Sequence, residues 1–388
     1  MSDKDDKISK RDFIKYSALG LGGLMIGMNS KLFAKDINNK LKINSSDADE
    51  LWKWSKEASY YIKTPRGVKC LLCPNQCDLK LNEISICRNR VNINNKLYSI
   101  AYGNPCSVHI DPVEKKPLFH FYPLSMTYSI ATAGCNLACL NCQNWEISQT
   151  SPKKTKNYDL MPDKVVEQAI KHNCKSIAYT YSEPISFYEY TYDTAKLARQ
   201  KNIKNIFVSA GYINEKPLRT ISKYLDAANI DLKSFSNDIY MKLNGATLQP
   251  VLNTLKILKQ ENVWLEITNL IIPSWTDNFD MIKKMCDWLY KNNLADAPLH
   301  FSSFYPMYKL TQLPYTPVAT LNKAREIALN SGIKYVYIGN VPGNKAQNTY
   351  CHKCKKIIIE RKGYRILNNH IKNGKCEFCG ATIPGFWE

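Results

Sequence analysis

Gly134-Cys135-Asn136-Leu137-Ala138-Cys139-Leu140-Asn141-Cys142-Gln143-Asn144 is the stretch on which the fold turns. It spaces three cysteines as C-x3-C-x2-C, directly after the apolar, β-rich run 128–131. Three thiolates can hold three irons of a cubane and leave the fourth iron open. A zinc ion is the other reading of such a triad, but zinc wants a fourth ligand at matching spacing. The C-terminal end of a strand is also where α/β barrels place their active sites. Position and spacing therefore agree on a [4Fe-4S] cluster held by Cys135, Cys139 and Cys142.

From that stretch outward the chain becomes regular. Further β-rich runs fall at 176–181, 205–209, 228–232, 263–271 and 299–304, with a short seventh at 335–338. Helical patterns lie between them, at 162–172, 185–201, 248–261, 277–292 and 320–331. Such alternation predicts a parallel α/β sheet. It does not separate a barrel from a doubly wound sheet.

The cysteine stretch resembles the radical S-adenosylmethionine (SAM) superfamily. More closely, the chain resembles the radical SAM member of the AmmeMemoRadiSam system, a relative of the pyruvate formate-lyase activating enzymes. The likeness covers roughly residues 65–388. It is carried by residues 111–118 (DPVEKKPL), 135–149 with WEISQ at its end, 179–184 (YTYSEP), 231–233 (DLK), 335–341 (YVYIGNV) and 383–387 (IPGFW). One departure stands inside the motif: Asn141 precedes the third cysteine, where an aromatic that packs the adenine is common.

The resemblance implies an α/β fold built as a partial (β/α)6 TIM-like radical SAM barrel. It implies an open iron that chelates the amino and carboxylate groups of SAM and passes an electron to the sulfonium, giving a 5′-deoxyadenosyl radical. Glu183 stands in the place of the superfamily's Gly-Gly-Glu motif, where a carboxylate accepts hydrogen bonds from the SAM ammonium. Asp231 and Lys233 resemble the Asp-x-Lys element of activating enzymes. Period-two alternation puts both on one face at a strand end, within reach of the SAM carboxylate and ribose or methionyl groups. Ser209 follows the third strand and is expected near the methionyl part. His300 on the sixth strand reads either as a contact to SAM or substrate, or as a satisfied core histidine.

Of the fourteen cysteines, eleven fall into three clusters, leaving Cys106, Cys174 and Cys286 as expected small buried hydrophobes. Disulfide frameworks belong mainly to small secreted domains, so paired cysteines in a chain of 388 residues point to metal. Cys70, Cys73, Cys77 and Cys87 read as C-x2-C-x3-C-x9-C, suited equally to zinc or an auxiliary iron–sulfur cluster. Cys351, Cys354, Cys376 and Cys379 read as C-x2-C-x21-C-x2-C, the spacing of a zinc ribbon that folds on its Zn2+.

The expected organisation is a signal-like segment 1–34, a linker 35–48, a Cys-rich N-terminal module 49–125, the barrel 126–342 and a zinc-ribbon-like module 343–388. Ser9-Lys10-Arg11-Asp12-Phe13-Ile14-Lys15 resembles the twin-arginine export motif, with Lys10 for the first Arg. An uncharged Gly-rich run follows, shorter than a spanning helix. Export or membrane association through the N-terminus is one expectation; a cytoplasmic enzyme is the other.

Lys and Arg outnumber Asp and Glu by 53 to 34. That excess, read with two cysteine modules, gives the rival of another class, a non-catalytic metal-dependent nucleic-acid binder. No interleaved aromatic base-stacking surface accompanies the charge, so nucleic acid is not the expected partner. The partners expected are a low-potential electron donor, and Memo-like and AMMECR1-like proteins or a protein substrate. Activation of a glycyl-radical enzyme is the alternative within the same chemistry.

Overall fold

Apolar, β-rich runs alternate with stretches of helical period, and the computed structural model shows what that pattern builds. It describes residues 52–388. The expected segments 1–34 and 35–48 lie outside the described residues.

Eight strands form the central sheet: β1 (Ser107–Pro112), β2 (Met126–Ala131), β3 (Ser176–Tyr179), β4 (Lys204–Ser209), β5 (Ala227–Asp231), β6 (Trp264–Ile271), β7 (Leu299–Ser303) and β8 (Val336–Gly339). They lie side by side in chain order. All neighbours from β2 to β8 pair parallel. Only β1 runs antiparallel, against β2, with Ser107 opposite Ala131 and Pro112 opposite Met126.

Six helices connect the parallel strands: α1 (Pro162–Lys171), α2 (Tyr188–Gln200), α3 (Glu215–Ser222), α4 (Leu248–Gln260), α5 (Phe279–Lys291) and α6 (Val318–Asn330). Each turns an apolar stripe inward; α1 buries Val165, Val166 and Ala169, one helical face. Pro162 at the first helical position of α1 is preset for a helix start. Asn278 caps α5 by accepting the Met281 N–H at 2.8 Å, a contact worth about 1 kcal/mol. Five of the six helices, all but α3, match the expected helical patterns. Elements that went unread include β1, α3 and the π-helical turn Tyr240–Asn244.

β1 lies on the N-terminal side of the expected boundary at residue 125, so the Cys-bearing region supplies an edge strand of the main sheet. Before it come two small antiparallel sheets, one pairing Tyr61–Thr64, Gly67–Cys70 and Asp78–Leu79, the other Lys56–Glu57, Lys96–Ser99 and Arg90–Ile93. At the other terminus Ile357–Lys362 pairs antiparallel with Arg365–Asn369, as the sequence 357–366 predicts. This hairpin docks on the main sheet: Ile358, Ile359, Ile371 and Ile383 pack with Phe119, Tyr335 and Tyr337. Arg361, buried beneath it, donates to the Phe119 carbonyl at 3.0 Å and lies 4.4 Å from the Phe119 ring centroid.

One expectation is corrected. Among the described residues no helix is long and apolar enough to cross a membrane. That argues against membrane tethering by any of the described helices; the longest of the named ones have 13 residues, against the roughly 20 apolar residues that a span requires.

Candidate functional site

The triad loop leaves β2 through Thr132-Ala133-Gly134. Gly134 has φ +100°. A Cβ there would stand 2.1 Å from Asn89 Oδ1 and 2.5 Å from the Cys87 carbonyl oxygen, so no other residue fits. The loop is closed on one side by Gly134 N–H donating to the Ile147 carbonyl at 2.8 Å. On the other side the π-helical turn grips it. Ala138 and Leu140 donate their N–H groups to the Asn244 and Leu243 carbonyls, both at 2.9 Å. Gly245, left-handed at φ +65°, ends that turn. A π-helical turn is rare and frequently sits at a functional site. Lys309, in the loop after β7, donates its N–H to the Leu140 carbonyl at 3.0 Å.

Each sulfur of the triad meets a donor. The Leu137 N–H reaches Cys135 Sγ at 3.4 Å, and Asn244 Nδ2 reaches Cys139 Sγ at 3.2 Å. The Ser148 side chain hydrogen-bonds Cys142. Burial pushes all three thiols up, Cys135 well above its ordinary value. Such thiols give up their protons to a metal rather than to water. Donors aimed at sulfur tune and orient a thiolate-held cluster. The residues present therefore fit the cluster. The Asn141 side chain is buried with Oδ1 unpartnered, and Trp145 stacks on Tyr308 at 5.3 Å between centroids.

Glu183 lies beyond the end of β3 and is 3% exposed. Burial pushes its carboxyl up to about 7, although the Ser209 hydroxyl, two backbone N–H groups and the Lys233 charge all favour the ionised form. Ser209 Oγ donates to Glu183 Oε1 at 2.6 Å and the Ala210 N–H to Oε2 at 2.8 Å. Ser209 Oγ in turn accepts from the Gly211 N–H at 2.9 Å. Ser209 thus orients Glu183.

Asp231 ends β5, and Lys233 Nζ donates to its Oδ2 at 2.8 Å. Burial pulls the Lys233 ammonium down, but the Asp231 carboxylate and Cys139 outweigh it and hold the ammonium above its ordinary value. The charges of Lys233 and Glu183 are also felt at the triad, at Cys139 and Cys135 respectively. Triad, Glu183 with Ser209, and the Asp231–Lys233 pair are thus brought together at one end of the parallel strands.

His300 is set apart, and its reading as a SAM contact is corrected. Its Nε2 is 2.7 Å from Glu266 Oε2, and its ring packs against Phe119 and Tyr337. Buried, bonded at Nε2 and packed on its faces by protein rings, it takes the core-histidine reading.

The two flanking cysteine sets differ. In the C-terminal set Cys351 Sγ and Cys379 Sγ are 3.6 Å apart and Cys354 Sγ and Cys376 Sγ 3.8 Å. Zn–S bonds of about 2.3 Å in a tetrahedron put sulfurs roughly 3.8 Å apart, so this set can bind a metal ion without rearranging. Among the described residues it is the group of three or more such ligand atoms lying within 4.8 Å of one another. Cys70, Cys73, Cys77 and Cys87 are near enough to act on one another's thiols but are not such a group. Burial pushes the Cys70 thiol up to about 11 and Cys73 to about 12.

This N-terminal set adjoins the triad. Asn75 Nδ2 donates to the Asn136 carbonyl at 2.8 Å, and Asn136 Nδ2 to the Tyr212 carbonyl at 2.8 Å. Asn214 Nδ2 donates to the Leu71 carbonyl at 2.7 Å. Asn136, Ser148 and Asn244 were not singled out from sequence. The one signal was Asn244-Gly245 shortly after a strand end, a turn pair whose partner is distant in the chain.

Comparison with known proteins finds several likenesses. A radical SAM methyltransferase from Sphaerobacter thermophilus aligns over 57% of this chain and 68% of its own, with 13% identity and a TM-score of 0.44. The pyruvate formate-lyase 1-activating enzyme of Escherichia coli is 23% identical over 238 residues, 60% of this chain and 88% of that one, a distant relationship. An uncharacterized protein of Methanocaldococcus jannaschii is 45% identical over 331 residues, 84% of this chain and 98% of that protein. The family model of the radical SAM superfamily matches residues 129–289, from the strand before the triad through most of α5. With the triad, Glu183 and the Asp231–Lys233 pair inside that span, the chain belongs to the radical SAM superfamily of enzymes.

Proposed function

We propose that this chain is the radical SAM enzyme of an AmmeMemoRadiSam system, in which Cys135, Cys139 and Cys142 hold the [4Fe-4S] cluster. A cluster there supplies, when bound, the low-potential electron for reductive cleavage of SAM to a 5′-deoxyadenosyl radical. The single observation that supports the reading most is the convergence of Glu183 and Lys233 on the sulfurs: their charges act on Cys135 and Cys139. The chain's own groups then have defined tasks. Glu183, oriented by Ser209 and the Ala210 N–H, accepts from the ammonium of SAM. Lys233, held by Asp231, binds the carboxylate. Asn244 and the Leu137 N–H stabilise negative charge on sulfur.

We read the sheet from β2 to β8 as the wall of a partial barrel, and the C-terminal set as a zinc ribbon, from its 3.6 and 3.8 Å sulfur separations. The partners proposed are a low-potential donor and Memo-like and AMMECR1-like proteins. Anaerobic reconstitution tests the chemistry: about four irons at the triad, and 5′-deoxyadenosine on reduction. Alanine at Cys135, Cys139 or Cys142 should abolish the product. Persistence of cleavage in any of the three refutes the ligand set. Anaerobic co-purification tests the system, and a glycyl radical raised in a partner enzyme would assign the chain to the activating class instead.

A further inference from the structure

We infer that Cys70, Cys73, Cys77 and Cys87 form a four-thiolate site for an iron–sulfur cluster, with the Arg90 guanidinium as its built-in countercharge. The inference does not depend on the proposed function, because it concerns a different set of ligands.

Arg90 is the first observation. Its side chain is 1% exposed, on a strand three residues beyond Cys87. Nη2 donates to Glu189 Oε2 at 2.7 Å, and the other Glu189 oxygen accepts from the Ser59 N–H at 3.0 Å. That ion pair engages one of the three guanidinium nitrogens. Nε and Nη1 are buried with no partner. Leaving such donors unsatisfied costs about 1–3 kcal/mol each, more on a charged group. After Glu189, the groups that act most strongly on this guanidinium are Cys70 and Cys87, and Cys77 also feels its charge. A thiol sulfur accepts weakly, whereas a metal-bound thiolate accepts charge-assisted hydrogen bonds. Four thiolates around a cationic centre are a net anion, and Arg90 supplies both the opposite charge and the free N–H groups. A structural ion pair explains Nη2 and leaves the other two nitrogens without a role.

The spread of the sulfurs chooses the class of metal. The C-terminal set brings its sulfurs within 4.8 Å of one another, as one ion requires; among the described residues neither the triad nor the Cys70–Cys87 set meets that closeness. Several irons hold their thiolates further apart than a single zinc does. In this one respect the N-terminal set goes with the triad and not with the C-terminal set. Its seat is fixed: Cys70 N–H donates to the Cys77 carbonyl at 2.9 Å, and Ser85 Oγ lies 3.1 Å from Cys87 Sγ. The Cys87 carbonyl lies against Gly134, one residue before the triad.

The test uses the full chain with Cys135, Cys139 and Cys142 all changed to Ala, so the triad contributes nothing. Anaerobic reconstitution with iron and sulfide should leave about four irons and matching sulfide per chain. Adding Cys70→Ala and Cys73→Ala should take iron to background while the C-terminal metal stays. Background iron in the triple variant, with a second zinc per chain, overturns the cluster. For Arg90, the readout is the midpoint potential of this cluster. Arg90→Met should lower it, because the reduced cluster loses its countercharge, and Arg90→Lys should restore most of the shift. Glu189→Gln should raise it, since the guanidinium is then no longer neutralised. The Glu189 variant keeps the test decisive if Arg90→Met does not fold. A potential unmoved in Glu189→Gln, or in a folded Arg90→Met, overturns the countercharge.

Discussion

Glu183→Gln should stabilise the SAM-free protein and weaken its grip on SAM, and the size of the first effect can be worked from the structure. Burial raises the Glu183 carboxyl from 4.5 to about 7, which at about 1.4 kcal/mol per pH unit is roughly 3 kcal/mol. The sign follows from linkage. A carboxyl whose folded value lies above its unfolded one binds more protons when folded, so stability falls as pH rises. The penalty is absent below pH 4.5, grows from there to about 7, and is complete above it. Gln mimics the neutral acid and can still accept from the Ala210 N–H. The variant should therefore gain up to roughly 3 kcal/mol at pH 8 and nothing near pH 4. Denaturant unfolding of both proteins across this range measures the gain. Calorimetric titration with SAM should show about a ten- to hundred-fold loss of affinity, the worth of one charge-assisted hydrogen bond. Wild-type affinity should itself decline as pH falls below 7. A stability difference that is flat with pH would refute the burial argument, and unchanged SAM affinity would remove Glu183 from the site.

Asn244→Leu removes the donor at 3.2 Å from Cys139 Sγ while keeping the bulk. The triad cluster should survive with a lower midpoint potential; an unchanged potential would leave Asn244 a loop anchor only. Cys376→Ala should release the metal of the C-terminal set and expose the tail around Trp387 to protease, with triad iron retained. Metal content and proteolysis equal to wild type would mean that the hairpin stands on packing alone.

Most of the parallel sheet was legible because each strand–helix unit carries its own periodicity. The triad was legible because its ligands are seven residues apart at most. What escaped depends on partners far along the chain. β1 was not read as a strand: its strand character comes from pairing with β2, and it leaves His109 and Ile110 exposed. Ser209 was placed near SAM from its position after a strand, but its hydroxyl is committed to Glu183, 26 residues earlier. His300 illustrates the opposite error: its partner Glu266 lies one strand away, and a strand pattern does not tell a buried acid–histidine pair from a ligand. The Asn244 contact to Cys139 spans 105 residues and follows no spacing rule.

Glu266 also explains how the far end of the sheet bears on the site. It is fully buried, and its carboxylate is met by the Phe119 and His120 N–H groups at 3.0 and 2.8 Å, by Trp264 Nε1 at 3.1 Å and by His300. Burial pushes its pKa up, but the His300 hydrogen bond and the neighbouring charges prevail and hold it below the ordinary value. A buried carboxylate this fully bonded fixes β6, because moving it would strand several donors at once. β6 is in register with β5, with Glu266 opposite Asn229 and Thr268 opposite Asp231. The position of Asp231, and through it Lys233, is thus set two residues away from the Glu266 anchor. That anchor is closed from below by Phe119, Tyr337 and Arg361, over which the C-terminal hairpin packs. The C-terminal cysteine hairpin is far from the triad in sequence, yet it braces the layer from which the site's charged pair is registered. A metal that stiffens it would serve the geometry of the Asp231–Lys233 pair from a distance.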